Sequence, residues 1–499
     1  MTFIADLWAD IQIFISNYTY YFGTVTNIAL VLLCVAFFII GVVKTSRLPQ
    51  KPKKRGEIKY LSPEGDTVES ASKALSEAVR CATVTGDRDE LEKLLAFLRG
   101  RYKRLFAKAK ANVVPSGSLL IQLKADQHSE RKPVLLCGHM DVVPASGDWK
   151  VAPFSGFDDG NAIWGRGTLD CKGGMIAIFE AVESLLASGY TPKRDIYFAF
   201  GADEETGGSQ GAAKIAEYFE KRNLQFEFIL NEGGALNSAH MGNKQFPAAV
   251  VAVGEKAGVS VKITARAEGG HAAVPGKKSA VGILSEAVCR IENAPMRRRF
   301  LPCVERYLKM SSPALSYFQR FCLANDHIMR PFLYMAFRHD RYIAPLFRTT
   351  FVPTQLKASP AANILPDKAH VIINVRILQG DTIEKVVEHI KAILADLPVE
   401  VEALGDMKPS KISDTNTESY ELIVKTIEKH FGAITVIPAL VTRGSDMVHY
   451  ENHAENIYRF SPIMMSQKQV ESIHGTNEYI KKEALGVAVE FYKSLLSTM

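Results

Sequence analysis

His139 and Asp141 follow the apolar run VLLCG, and Asp170 closes GRGTLD. Glu204 and Glu205 follow DIYFAFGAD, Glu232 follows FILN, and His474 lies in SIHGTNE. One such residue after a strand-like run is ordinary. Histidines and carboxylates recurring at the ends of separate runs are a metal-site pattern. Catalytic zinc takes imidazole nitrogen and carboxylate oxygen and keeps one position open for water. A carboxylate that bridges two ions about 3.5–4 Å apart makes a two-metal hydrolytic site, which acidifies water and polarises a carbonyl. Such a site still needs a general base. Neighbours on an extended chain point in different directions, so one of Glu204 and Glu205 can bind metal while the other faces the attacking water.

The elements that must position these residues are legible as alternating periods. Strand-like runs at 134–137, 195–201 and 228–230 alternate with helical ones such as 175–188. This predicts an α/β domain with a largely parallel sheet, which carries its ligands at the carboxyl ends of strands. Half-exposed strand patterns at 258–267, 370–378 and 399–404, with a helical pattern at 383–397, predict a second, smaller α+β unit inserted into the first.

Seven segments in order, HMDVVP, GRGTLDCKGG, ADEETGG, NEGG, GGHAAVP, NILP and HGTNE, resemble the di-zinc peptidase and amidohydrolase family of aminoacylase, glutamate carboxypeptidase and carboxypeptidase S. The resemblance spans about residues 60–499. It implies a zinc-peptidase catalytic domain in two parts, 60–254 and 406–499, around a lid or dimerisation domain at 255–405. Carried over by position, it implies one zinc on His139, Asp170 and Glu232 and a second on Asp170, Glu205 and His474, with Asp170 bridging. Glu204 matches the general base, and Asp141 the acid that orients His139. His271 matches an oxyanion-stabilising histidine that in relatives reaches the active site across a dimer interface. Asn363, Arg376 and Ser445 match substrate-binding positions; an arginine fork suits a free carboxylate, and a surface ion pair is the plainer reading of Arg376. Three positions depart from the family: Asn231 stands where Asp is common, Tyr479 where Arg is, and Met447 where Ser or Ala is. They bear on substrate preference and leave the metal ligands intact. Cys137 and Cys171 flank the ligands and read as small buried packing residues.

Residues 297–348 carry ten aromatics together with ten basic and three acidic residues. Three readings fit this insert (295–350): ordinary core helices, helices on a membrane interface, or an entry for an acyl chain. The insert also resembles one in the carboxypeptidase S-like branch and its N-fatty-acyl-amino-acid synthase/hydrolase relatives.

Residues 24–43 contain no charge and are long enough to cross a bilayer. The absence of Lys or Arg before them, and of a small-residue cleavage pattern after them, argues against a cleaved signal peptide. The chain reads as a tail (1–23), a transmembrane anchor (24–43) and a basic linker (44–59), in a single-pass protein of the endomembrane system or cell surface. Lys44 to Arg55 hold six basic residues and no acid, which favours a cytosolic body. The Asn17-Tyr18-Thr19 sequon, upstream of the span, agrees with that orientation, whereas the family resemblance leans towards a lumenal body.

The net charge of +6 is therefore concentrated in two patches on an acidic body, and neither is a nucleic-acid module. Seven cysteines form no disulfide framework. The expected partners are a small N-acyl amino acid or short peptide, membrane lipid and a second copy of the chain. Two kinds of protein fit these features: an active metallohydrolase acting on an amide next to a carboxylate, and a catalytically inactive membrane scaffold. Five intact ligands and Glu204 favour the first.

Overall fold

The computed structural model describes residues 2–49, 60–126, 129–236, 239–241, 244–246, 248–432, 434–442 and 444–499. Most of the basic linker, residues 50–59, lies outside them. The chain divides into two compact units, Met1–Pro52 with Leu308–His339, and Lys53–Tyr307 with Asp340–Met499.

The larger unit is built on an eight-stranded sheet. Its early strands are β1 (Lys110–Val113), β2 (Leu119–Leu123), β3 (Val134–His139), β4 (Ile196–Gly201), β5 (Ile229–Leu236) and β6 (Ala248–Glu255). A four-stranded sheet follows from β7 (Ala257–Arg266), β8 (Thr350–Lys357), β9 (Lys368–Ile377) and β10 (Val399–Leu404). The chain then returns to the large sheet with β11 (Thr435–Val441) and β12 (Ile457–Met464). The large sheet runs β1-β2-β4-β3-β5-β12-β6-β11. Its centre is parallel, β4 on β3, β3 on β5 and β5 on β12. Strand β4 and the start of β3 are apolar because both faces are covered: every residue of β4 is buried, and Val134, Leu135 and Leu136 are fully so.

The small sheet alternates. On β9, Ala369, Val371, Ile373, Val375 and Ile377 are buried in a core shared with the helices Ala280–Asn293 and Ile383–Ile393. That places Ile372, Asn374 and Arg376 on the other face. The second of these helices ends four residues short of the expected 397. Pro398 follows Leu397, and the residue before a proline avoids the helical region.

The smaller unit is dominated by a helix of 46 residues, Thr2–Arg47. The expected tail and span are one helix, since no proline interrupts residues 1–47. The stretch Thr24–Arg47 has a mean hydropathy of 2.7 at its most apolar. The helices Tyr317–Ala324 and Asp326–Ala336 complete this unit.

Candidate active site and metal centre

The expected ligands converge at the carboxyl ends of the parallel strands. His139 is the last residue of β3 and is buried. Its Nδ1–H donates to the Asp141 carbonyl at 2.9 Å, and the Asp141 carboxylate lies 3.5 Å away. This aims Nε2 at Asp170 Oδ1 (3.0 Å) and Glu232 (3.5 Å). On the other side, His474 Nε2 lies 3.0 Å from Asp170 Oδ2 and 3.3 Å from Glu205. Asp170 thus turns one oxygen to each histidine, as a bridging carboxylate must.

Glu232 is a correction in detail. It lies inside β5 rather than after the strand. The register of β5 against β12 shifts between Asn231 and Ala235, and Gly233 adopts φ +129°. A bulge re-aims the side chain beside it. Gly234 has no room for a side chain, since a Cβ there would lie 2.1 Å from the Val250 carbonyl oxygen.

Asp141 does more than orient His139. Its carboxylate accepts the backbone N–H groups of Glu204 (3.1 Å) and Glu205 (3.2 Å) and the Thr85 hydroxyl (2.7 Å). One buried carboxylate therefore fixes both His139, an expected ligand, and the short turn Glu204–Thr206 that presents the two glutamates after β4. Burial opposes its ionisation, but the bonds from His139 and Thr85 hold its carboxyl below the usual range.

The donor set fits two divalent cations. Burial pushes the Glu204 carboxyl up to about 9 and that of Glu232 to about 7, and neighbouring carboxylates add to both. Glu205 Oε1 is buried without a hydrogen-bond partner among the described residues. A buried cluster of this sign demands positive charge, and nitrogen with carboxylate oxygen is what zinc accepts. Cys171 lies beside His139 and Glu232. Burial pushes its thiol well up, and the thiol donates to the His139 carbonyl at 3.3 Å, so it packs rather than ligates.

Glu204 and Glu205 line a cavity of about 350 Å³ together with Gly258, Ser260, Asn374, Arg376 and Ser445, a volume suited to a small ligand. Arg376 Nε donates to Asn374 Oδ1 at 3.1 Å on the open face of β9. Gly258 stands opposite Arg376 in register, and a Cβ there would meet the guanidinium at 2.7 Å. The Ser445 hydroxyl donates to Glu255 at 2.6 Å, so its proton serves the loop more than a ligand. His271 and Asn363 lie elsewhere. His271 pairs with Ile364 in a two-stranded ladder, the Ala272 N–H donates to the Asn363 carbonyl at 3.0 Å, and both residues are exposed. Neither lines the cavity.

Sequence reasoning missed the parts played by Glu478, Glu255 and Lys256; the 444–446 loop, Asp446 included, resembles a family loop that lines the site. Glu478, fully buried, accepts Arg166 Nη1 (2.7 Å) and the N–H groups of Gly167 (3.1 Å), Leu169 (2.7 Å) and Asp170 (3.3 Å). It clamps the loop that carries Asp170. Glu255 pairs with the buried Arg459 and holds Ser445. Lys256 lines the cavity and donates to the carbonyls of Pro345 (3.0 Å) and Arg348 (2.8 Å). Burial, with Arg376 and Arg348 nearby, pushes it down to about 7. Asp446 fills space that Gly201 and Gly208 leave open, and burial pushes it up to about 8.

The departures from family pattern also find places. Met447 is fully buried in the core beside β4, Tyr479 stacks on Trp164 at 4.4 Å, and the Asn231 amide donates to Ser445 at 3.4 Å.

The chain is similar to known proteins over most of its length. The chain is 32% identical over 485 residues to a probable carboxypeptidase S-like protein of Dictyostelium discoideum, covering 93% of this chain and 92% of the relative. It is 30% identical to the N-fatty-acyl-amino acid synthase/hydrolase of Mus musculus, covering 92% and 93%. Among solved structures, an M20 family metallo-carboxypeptidase from Sulfolobus solfataricus shares the fold at a TM-score of 0.65 and 18% identity, over 87% of this chain and 99% of that one. Human carnosine dipeptidase 1 does so at 0.60 and 14%, over 87% and 97%. The model of peptidase family M20/M25/M40 matches residues 135–498. All five expected ligands fall inside that span, and the chain belongs to this family of metal-dependent hydrolases.

Proposed function

We propose that the chain is a membrane-anchored di-zinc hydrolase that cleaves the amide bond of N-acyl amino acids, N-fatty-acyl amino acids among them, and forms that bond in reverse when both products are abundant. The observation that carries this reading is a single cavity lined both by Glu204 and Glu205 and by Arg376 and Asn374. An amide next to a free carboxylate is the substrate those two pairs recognise together.

Two zinc ions held by His139, Glu232, Asp170, Glu205 and His474 would supply Lewis acidity to water and to the scissile carbonyl. Glu204 takes a proton from the attacking water as the C–O bond forms and returns it to the nitrogen as the C–N bond breaks. The products are a fatty acid and an amino acid. Arg376 pairs with the α-carboxylate through its fork, and burial of the acyl chain adds about 0.8 kcal/mol per methylene. Because His271 and Asn363 lie outside the cavity lining, their parts in oxyanion stabilisation and substrate binding call for a second copy that packs through the 255–405 region.

A second reading, release of C-terminal residues from short peptides, is favoured by the names of the Dictyostelium and Sulfolobus relatives. It uses the same residues and differs only in the acyl group.

Metal analysis and the Glu204→Gln variant test the chemistry. About two zinc ions should bind wild type and variant alike, while the variant loses hydrolysis by about 10²–10⁴-fold. Full hydrolysis by Glu204→Gln would mean that the base lies elsewhere.

A further inference from the structure

The aromatic insert is neither core nor exposed at random. In the helix Asp326–Ala336, Ile328, Pro331, Phe332 and Met335 are all exposed. They recur at i, i+3, i+4 and i+7, the spacing of one helical face. Leu333 and Phe337, off that stripe, are buried. An amphipathic helix usually turns its apolar stripe inward; this one turns it out. Tyr317 and Phe318 open the preceding helix and are 60% and 51% exposed.

Within the same unit the insert is fastened to the N-terminal helix at a defined height. Phe321 packs on Phe37 and Phe38, with ring centroids 6.5 and 6.0 Å apart. Its ring leaves no room for a side chain at Gly41, where a Cβ would lie 2.7 Å away. The Asn325 amide donates to the Gly41 carbonyl at 3.4 Å, and Arg320 donates to the Leu48 carbonyl at 3.5 Å. At 1.5 Å rise per residue, Gly41 lies about 4–5 Å below Lys44 and about 9 Å below Arg47. If those two basic residues mark the headgroup level, as flanking charges do, Phe321 sits at the depth that an interfacial helix reaches, about 5–10 Å. Arg320 sits with the phosphates.

We infer that the helices Tyr317–Ala324 and Asp326–Ala336 are seated in the headgroup–acyl boundary of the bilayer that Thr24–Arg47 crosses, with Tyr317, Phe318, Ile328, Phe332 and Met335 immersed and Arg320, Arg330 and Arg338 at the phosphates. This rests on the anchor reading above and deepens it. A cleaved signal sequence has no use for a packed partner at its C-terminal end. The bilayer is favoured over a protein partner because the stripe belongs to the unit that carries the span and is fixed at the height where a membrane surface meets it.

The test uses the full chain reconstituted in phosphatidylcholine vesicles with 20–30% phosphatidylserine, an amount at which the surface is distinctly anionic. The exposed Cys34 and Cys289 are first replaced by Ser, and single spin labels are then placed at Phe318, Phe332, Leu32 and the exposed Glu388. Retained hydrolysis of a short-chain substrate certifies each fold. Labels at 318 and 332 should be relaxed by lipid-phase oxygen several-fold more than by an aqueous nickel chelate, as at 32 and opposite to 388. Water-accessible labels at 318 and 332 with a lipid-accessible label at 32 would overturn the seat and leave the anchor standing. Labels at 318 and 332 shielded from both reagents would show a protein on that face and overturn it too. A label at 32 that never meets lipid would overturn seat and anchor together.

Discussion

Arg376 is the residue on which the proposed substrate choice turns. It is held in place by Asn374 and by the absence of a side chain at Gly258. Lysine keeps the charge and loses the fork. Arg376→Lys should raise KM for an N-acyl amino acid about 10-fold with kcat little changed, because the contact is made equally in ground and transition states. An equal fall in kcat and kcat/KM would contradict that role. His430 makes a different prediction. It is buried, with Nε2 on the Ser494 hydroxyl at 2.7 Å. Burial, with Lys429 beside it, pushes its pKa from 6.5 to about 4. Between those values the unfolded chain binds the extra proton, so this group's stability is intact above about pH 6.5 and is lost as the pH falls towards 4. His430→Gln should lose about 1–2 kcal/mol less than wild type between pH 7.5 and 4.5, solvent screening taking part of the full shift. Thermal melts across that range decide it: parallel curves for the two proteins would contradict the assignment.

At the scale of elements, the site depends on loops clamped from far along the chain. Glu478 reaches Arg166 and the Asp170 loop across about 310 residues. Glu478→Gln leaves the buried Arg166 without its counter-charge, which should cost about 3–5 kcal/mol and, by loosening Asp170, lower zinc affinity about 10–100-fold. Melting and zinc titration read the two effects; unchanged zinc affinity would remove Glu478 from the metal centre. Such residues show why the sequence was only partly legible. His139, Asp170 and Glu205 announce themselves because metal-binding residue types follow apolar runs. Arg376 is visible as a polar residue on an alternating strand, while Asn374 beside it was not read. Glu255 and Lys256 carry no local signal, and Glu478 shows only as the end of HGTNE, since their meaning lies in partners that only the folded sheet brings near. Glu232 was legible in identity but not in setting, because a bulge is a property of two paired strands. The insert was legible in composition alone. Its outward stripe and its fastening to Gly41 appear only when the helices pack.

At the scale of the whole molecule, a metal-dependent hydrolase body shares its chain with a long apolar N-terminal helix. The basic flank at Lys44 and Arg47 predicts a cytosolic body, with Asn17 in the lumen. Asn17→Gln should then abolish a glycosidase-sensitive mass shift; no shift in the wild type would turn the chain around. The claim that binds the parts together is that the body cleaves lipidated amino acids. The most direct measurement compares kcat/KM of the full chain for oleoyl-phenylalanine, acetyl-phenylalanine and a glycyl-leucine dipeptide, with Glu204→Gln as the blank. The highest value is expected for oleoyl-phenylalanine, with none above background in the blank. A preference for the dipeptide would contradict that claim.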